Sequence, residues 1–165
     1  MPRAIRALTL IAGVLAATSR PLPLLARDTS IAVIVNPRNP AESVSLAELR
    51  SIFLGTQSFW RDGTQVFAIV RAPSARERDL LLRRILRMSE AQYQQYWRKK
   101  RQTSKGGREP LAMVSNGMQE QMVLRNPGAV ALVPVSDLHQ GVKILKVAGH
   151  MPGSAAYPLK TSAVR

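Results

Sequence analysis

Residues 45–71 constrain the fold most, because a helix start, a helix stop, a turn and a strand follow one another without a spacer. Ser45 and Glu48 form a capping box: the serine side chain takes a free backbone N–H and the glutamate reaches back to the serine's own. Leu46, Leu49, Ile52 and Phe53 follow at helical spacing, and Gly55 stands where the helix is expected to stop. Phe59, Trp60 and the turn dipeptide Asp62-Gly63 then lead into an apolar strand at 66–70 that ends at Arg71. Ser74 and Glu77 read as a second capping box, so a strand end meets a helix start within a few residues. Such junctions are where open α/β sheets place their ligands.

The same alternation runs through the rest of the chain. IAVIV at 31–35 is β-branched and apolar, hence a buried strand, and the prolines of Asn36-Pro37-Arg38-Asn39-Pro40 end it. The helix begun at Ser74 carries Leu81, Leu82, Ile85 and Leu86 as its buried stripe. Ser89 and Gln92 make a third capping box, opening a helix over 90–102 with Tyr93, Tyr96 and Trp97 on one side. A brief strand at 111–114 precedes a helix capped by Ser115 or Asn116, with Met118, Met122 and Val123 as its apolar positions. Asn126-Pro127-Gly128 stops that helix before a strand at 129–135, which Pro134 weakens. A half-exposed strand at 142–147 follows, and the tail after Gly149 is irregular. Strands alternating with helices give an α/β fold with a mixed, mostly parallel sheet flanked by helices.

The chain start has a different character. Arg3 and Arg6 precede an apolar run at 7–17, then Ser19-Arg20-Pro21, which reads as a secretory signal peptide over residues 1–26 cleaved between 19 and 26. The run is too short to span a bilayer. Residues 27–165 are then one domain of ordinary size. The chain has no cysteine, so disulfides and a lipid-modified cysteine are excluded, and its two histidines, His139 and His150, are too few and too separated to suggest a metal centre. The expected address is the periplasm. No serine–histidine–aspartate arrangement, cysteine nucleophile or matched carboxylate pair emerges, and Gly106-Gly107-Arg108 is not a phosphate loop, so a non-enzyme without a cofactor is expected. The net charge of +14 attracts anions, and its densest stretches are 76–87 and 98–108. An arginine-rich solvated face explains those stretches as well. An exported chain rarely meets nucleic acid, which argues against that partner.

Five segments, in order, carry a resemblance: IAVIVNPRNP at 31–40, SLAELRSIFLG at 45–55 with Trp60 and Asp62-Gly63, Arg71 before a helix start, NPGAVALVPV at 126–135, and VKILKVAG at 142–149 with Ala156-Tyr157-Pro158-Leu159. Together they resemble the substrate-binding proteins of phosphate ABC transporters, over roughly residues 30–160. The resemblance implies a periplasmic-binding-protein-like fold of the second type, present as a single lobe, since the family builds two lobes around a cleft. It also implies inorganic phosphate or a similar anion as ligand, and a membrane permease or sensor as partner. The family's second ligand loop has an arginine, two residues and Gly-Ser-Gly-Thr. Here Arg71 matches the arginine, and Ser74-Ala75-Arg76-Glu77 stands in place of the tetrad, without its second and fourth residues' hydroxyls.

The expected ligand site is therefore Arg71, Ser74, Ala75, Arg76 and Glu77, joined by Ser115 and Asn116 if their helix starts on the same side. Free N–H groups at a helix start and a guanidinium fork suit an oxyanion. Against this, Glu77 favours the helix start by itself, and Arg71 could simply pair with Glu77 or Asp79. That alternative leaves an interaction module whose ligand site is lost and which docks on a membrane protein.

Overall fold

The computed structural model describes residues 30–103 and 107–161. The expected signal peptide lies outside them. Six strands make one sheet: β1 (Ile31–Val35), β2 (Ser43–Val44), β3 (Phe67–Arg71), β4 (Leu111–Met113), β5 (Ala129–Pro134) and β6 (Lys143–Val147), in the order β2-β6-β1-β5-β3-β4. Three of the five pairings are parallel, β2 with β6 and β3 with both β4 and β5; β1 runs antiparallel to its neighbours β5 and β6. The class read from the sequence stands: a mixed, mostly parallel α/β sheet flanked by helices.

The two faces divide the apolar residues by parity, as a pleated strand requires. Ile31, Val33 and Val35 of β1 join Val130 and Leu132 of β5 in one core, beneath α1 (Leu46–Phe53), the helix over 76–86 and α3 (Glu90–Gln102). Ala32, Ile34, Ala129, Ala131 and Val133 form the other core, with Val123 of α4 (Asn116–Arg125). Both strands are buried throughout, which explains why they read as unbroken apolar runs rather than alternating ones.

The capping boxes at Ser45 and Ser89 form as read, each with its reciprocal hydrogen bonds. The one at Ser74 does not. Ser74 takes a left-handed conformation (φ 72°), Ala75 becomes the N-cap, and α2 (Arg76–Leu80) starts without a side-chain cap. It continues as a π-helical stretch, Leu81–Leu86, whose buried residues are the expected Leu81, Leu82, Ile85 and Leu86. Strand β2 is too short for a periodic signal. Met118 is exposed; α4 buries the expected Val123 and, beside it, Gln119 and Glu120. The tail is tied down: Ser30 bridges Lys160, and Tyr157 and Leu159 sit in the first core.

Trp60 closes the core edge, and its indole Nε1 donates to the carbonyl of Gly128 at 2.9 Å. A side chain at Gly128 would put its Cβ 1.8 Å from the Gln65 carbonyl oxygen, so only glycine lets the two segments meet there. Asn36 acts at longer range than a turn residue: its amide donates to the carbonyls of Val123 and Leu124, both at 2.9 Å, and so closes the end of α4.

Candidate functional site

Strands β4, β3 and β5 run side by side in parallel, so their carboxyl ends open on one edge. Helix α2 starts from the end of β3, α4 from the end of β4, and the short helical turn Val135–Asp137 follows β5. This edge gathers Arg71, Glu77 and Asn116 from the residues expected by sequence, and adds Asp137 and Ser136.

Arg71, the last residue of β3, has a side chain only 16% exposed. Its Nη1 donates to the Met113 carbonyl at 3.0 Å, and its Nε lies 3.8 Å from Glu77 Oε2. That separation is an ion pair without a hydrogen bond, and Nε has no hydrogen-bond acceptor among the described residues. Glu77 is buried in the first turn of α2, and Asp79 pairs with Arg83 instead. The amide Nδ2 of Asn116 donates to Glu77 Oε1 at 3.1 Å and to Asp137 Oδ2 at 2.8 Å. Its Oδ1 is buried and, among the described residues, unpaired.

Asp137 completes the corner. The Ser136 hydroxyl, donating at 2.8 Å, holds its carboxyl below the ordinary value; partial burial opposes this, and the Asn116 amide with the charges of Arg76 and Arg71 adds to it. Arg76 itself is exposed and acts there through charge. Ser115 spends its hydroxyl on the Met118 N–H and caps α4. Ser74 and Ala75 supply the turn: Ser74 is exposed, and Ala75 donates its N–H to the Ala72 carbonyl at 3.4 Å.

Beneath the corner sits Arg78, which sequence reasoning passed over. It is buried, forks onto Glu90 at 2.8 and 2.7 Å, covers the Tyr93 ring at 4.7 Å and donates to the Arg71 carbonyl at 3.2 Å. Three partners fix the backbone that presents Arg71. Among the three arginines of 71–78, only the fold separates Arg78 from the rest. Asp137 lies 21 positions beyond Asn116 and gave no spacing signal.

The arrangement offers hydrogen-bond donors and acceptors around a partly occupied guanidinium. Among the described residues there is no group of three or more histidine, aspartate or glutamate side chains that could hold a metal ion. No described helix is long and apolar enough to cross a membrane.

No family model matches the sequence, and no curated protein matches it. Solved structures do. An ABC-type phosphate transport receptor from Vibrio cholerae is 19% identical, with a TM-score of 0.60 over 74% of this chain and 48% of that one. PstS from Borrelia burgdorferi is 15% identical, with a TM-score of 0.62 over 79% and 54%. A phosphate-binding protein from Stenotrophomonas maltophilia is 16% identical, with a TM-score of 0.54 over 75% and 40%. This chain thus spans about half the length of the structures it matches, and what it shares with those binding proteins is the fold.

Proposed function

We propose that this chain is an exported, non-enzymatic solute-binding-like protein. It is a single-lobe counterpart of the phosphate-binding component of ABC transporters, working in the periplasm after removal of a signal peptide cleaved between residues 19 and 26. Its ligand is phosphate or a similar oxyanion, held at the carboxyl edge of β3 and β4 by Arg71, Asn116 and the turn at Ser74, Ala75 and Arg76. The observation that carries this reading is the half-buried Arg71 guanidinium at a strand end, whose buried Nε makes no hydrogen bond among the described residues. A charged donor left short of an acceptor costs more than a neutral one, and an oxyanion oxygen would supply what is missing.

The carboxylate of Asp137 refines the ligand, since Glu77 is already engaged by Arg71 and Asn116. A carboxylate only accepts hydrogen bonds. An anion that keeps a proton near neutral pH can donate to it; hydrogen phosphate does so and sulfate does not. Phosphate is therefore preferred over sulfate.

One observation favours a second reading. The Asn116 amide already serves both carboxylates, and Glu77 already pairs with Arg71. A corner so satisfied needs no ligand, and the lobe would then dock on a permease or sensor.

Equilibrium dialysis with labelled phosphate decides between them. Saturable uptake in the micromolar-to-millimolar range, weaker with sulfate and lost in Arg71→Ala, supports the ligand reading. No saturable uptake at millimolar phosphate ends it and leaves the docking reading, which cross-linking in the native compartment then tests.

A further inference from the structure

The helix that starts at this corner turns a second basic surface away from it. A groove of about 320 Å³ lies between residues 76–84 and the end of the chain, walled by Arg76, Arg83, Arg84, Lys160 and Leu80, with Asp79 as its one acid. The π-helical stretch sets the pattern. Leu81, Leu82, Ile85 and Leu86 go into the core, which leaves the adjacent Arg83 and Arg84 together on the outside. Lys160 is brought to them by the Ser30–Lys160 bridge and by its own hydrogen bond to the Ala155 carbonyl at 3.0 Å. Among the described residues, Arg83 alone of these cations is ion-paired, to Asp79 at 2.7 Å, and that pair is open to water, with side chains 76% and 54% exposed.

We propose that this groove is a docking surface for an anionic lipid membrane. The three arginines are exposed, Lys160 is half-buried, and none has a buried acid as partner, so they do not form a preset cage for one small anion. Four positive charges against one negative charge suit an extended surface of like negative charges, where each lysine or arginine adds to the attraction. No described aromatic side chain lines the groove, so it lacks the stacking platform on which single-stranded nucleic acid relies. The long apolar stems of arginine and lysine can lie along the surface around Leu80 while their heads reach lipid phosphates. Such contact would hold the lobe at a membrane face with its α2–α4 corner still open, Arg76 being the residue that the two surfaces share.

Sedimentation with vesicles tests this. The purified chain is mixed with phosphatidylcholine vesicles, or with vesicles in which about three lipids in ten are phosphatidylglycerol, at low and at high salt. The chain is expected to pellet with the anionic vesicles only, and to be released by salt as screening shortens the reach of the charges. The triple variant Arg83→Gln, Arg84→Gln, Lys160→Gln should lower partitioning about a hundredfold, since each cation near such a surface is worth about a factor of five. Arg71→Lys should leave pelleting unchanged even where it weakens phosphate uptake, which separates this surface from the anion site. No pelleting on anionic vesicles at low salt overturns the proposal. So does equal pelleting of the triple variant, or displacement from vesicles by millimolar inorganic phosphate, which would make free phosphate the ligand of the groove.

Discussion

Two cations close to backbone carbonyls show how differently one lobe can use the same chemistry. Lys100 on α3 donates to the carbonyls of Leu54 and Gly55 at 2.6 and 2.9 Å and to the Tyr96 hydroxyl at 3.2 Å. It also lies 5.4 and 5.0 Å from the Tyr96 and Trp97 ring centres. An ammonium has three donors, and all three are filled. Arg71 has five donors, and its Nε is short of a hydrogen-bond acceptor among the described residues. The filled cation fastens the end of α1 to α3; the unfilled one has bonding capacity left over. Arg78 joins the two regions, because it holds the Arg71 carbonyl on one side and covers Tyr93 on the other, and Tyr93 packs edgewise on Trp97 at 6.3 Å. The lesson is that a half-buried charge marks a ligand site only when its donors outnumber its partners.

The strongest way to break this comparison is to remove the filled cation. Lys100→Met keeps the apolar stem and leaves the Gly55 carbonyl without the ammonium and the Leu54 carbonyl with the Tyr96 hydroxyl alone, at a cost of about 1–3 kcal/mol in stability. Chemical denaturation followed by tryptophan fluorescence measures it. Phosphate uptake by the folded fraction should not change. A variant as stable as the parent, or one with altered uptake, would show that Lys100 does more than fasten two helices, and the contrast with Arg71 would fail.

The difference between the regions also explains what the sequence could tell. The frame was legible where burial is two-sided: Ile31 to Val35 and Ala129 to Val133 are apolar at every position because helices cover both faces of the sheet. Capping boxes at Ser45 and Ser89 were legible because their partners are three residues away. At Ser74 the same pattern misled, since Asn116 and Arg71 compete for the Glu77 carboxylate that would have closed the box. On α4 the apolar period pointed to Met118, whereas Gln119 is buried because its amide reaches the Leu132 carbonyl at 3.1 Å, and Glu120 because it accepts from the His139 N–H. Asp137 and Arg78 were invisible for a related reason. A polar residue becomes part of a site through partners distant in sequence, and periodicity carries no information about them.

A smaller effect sharpens the contrast from the other side. Glu77→Gln removes the negative charge next to Arg71 and keeps the shape. Stability should change by less than about 1 kcal/mol, because Arg71 keeps its bond to the Met113 carbonyl and the new amide is near-isosteric. Phosphate affinity should rise several-fold to about tenfold, as a carboxylate beside a bound anion costs several tenths to a few kcal/mol after screening. Dialysis against the parent measures it. Unchanged or weaker uptake would show that Glu77 is part of the ligand's own hydrogen-bonding shell and not an internal substitute for it.

The smallest effect is a pH dependence confined to one region. The Asp137 carboxyl is held below its ordinary value of 3.8, first by the Ser136 hydroxyl. A carboxylate with a lowered folded-state pKa stabilises the fold above its unfolded value, and that contribution disappears as pH falls through the lower folded value. Backbone resonances of Asn116, Ser136 and Asp137 should therefore hold steady from neutral pH to about 4 and shift below it. Those of Leu54 and Gly55, whose carbonyls face an ammonium rather than an acid, should stay fixed over the same range. Ser136→Ala takes away the leading hydrogen bond, so the transition of the corner should move upward toward the ordinary carboxyl value. If the resonances around Lys100 move with those of Asp137, acid is loosening the lobe as a whole, and the corner does not titrate as a unit separate from the frame that carries it.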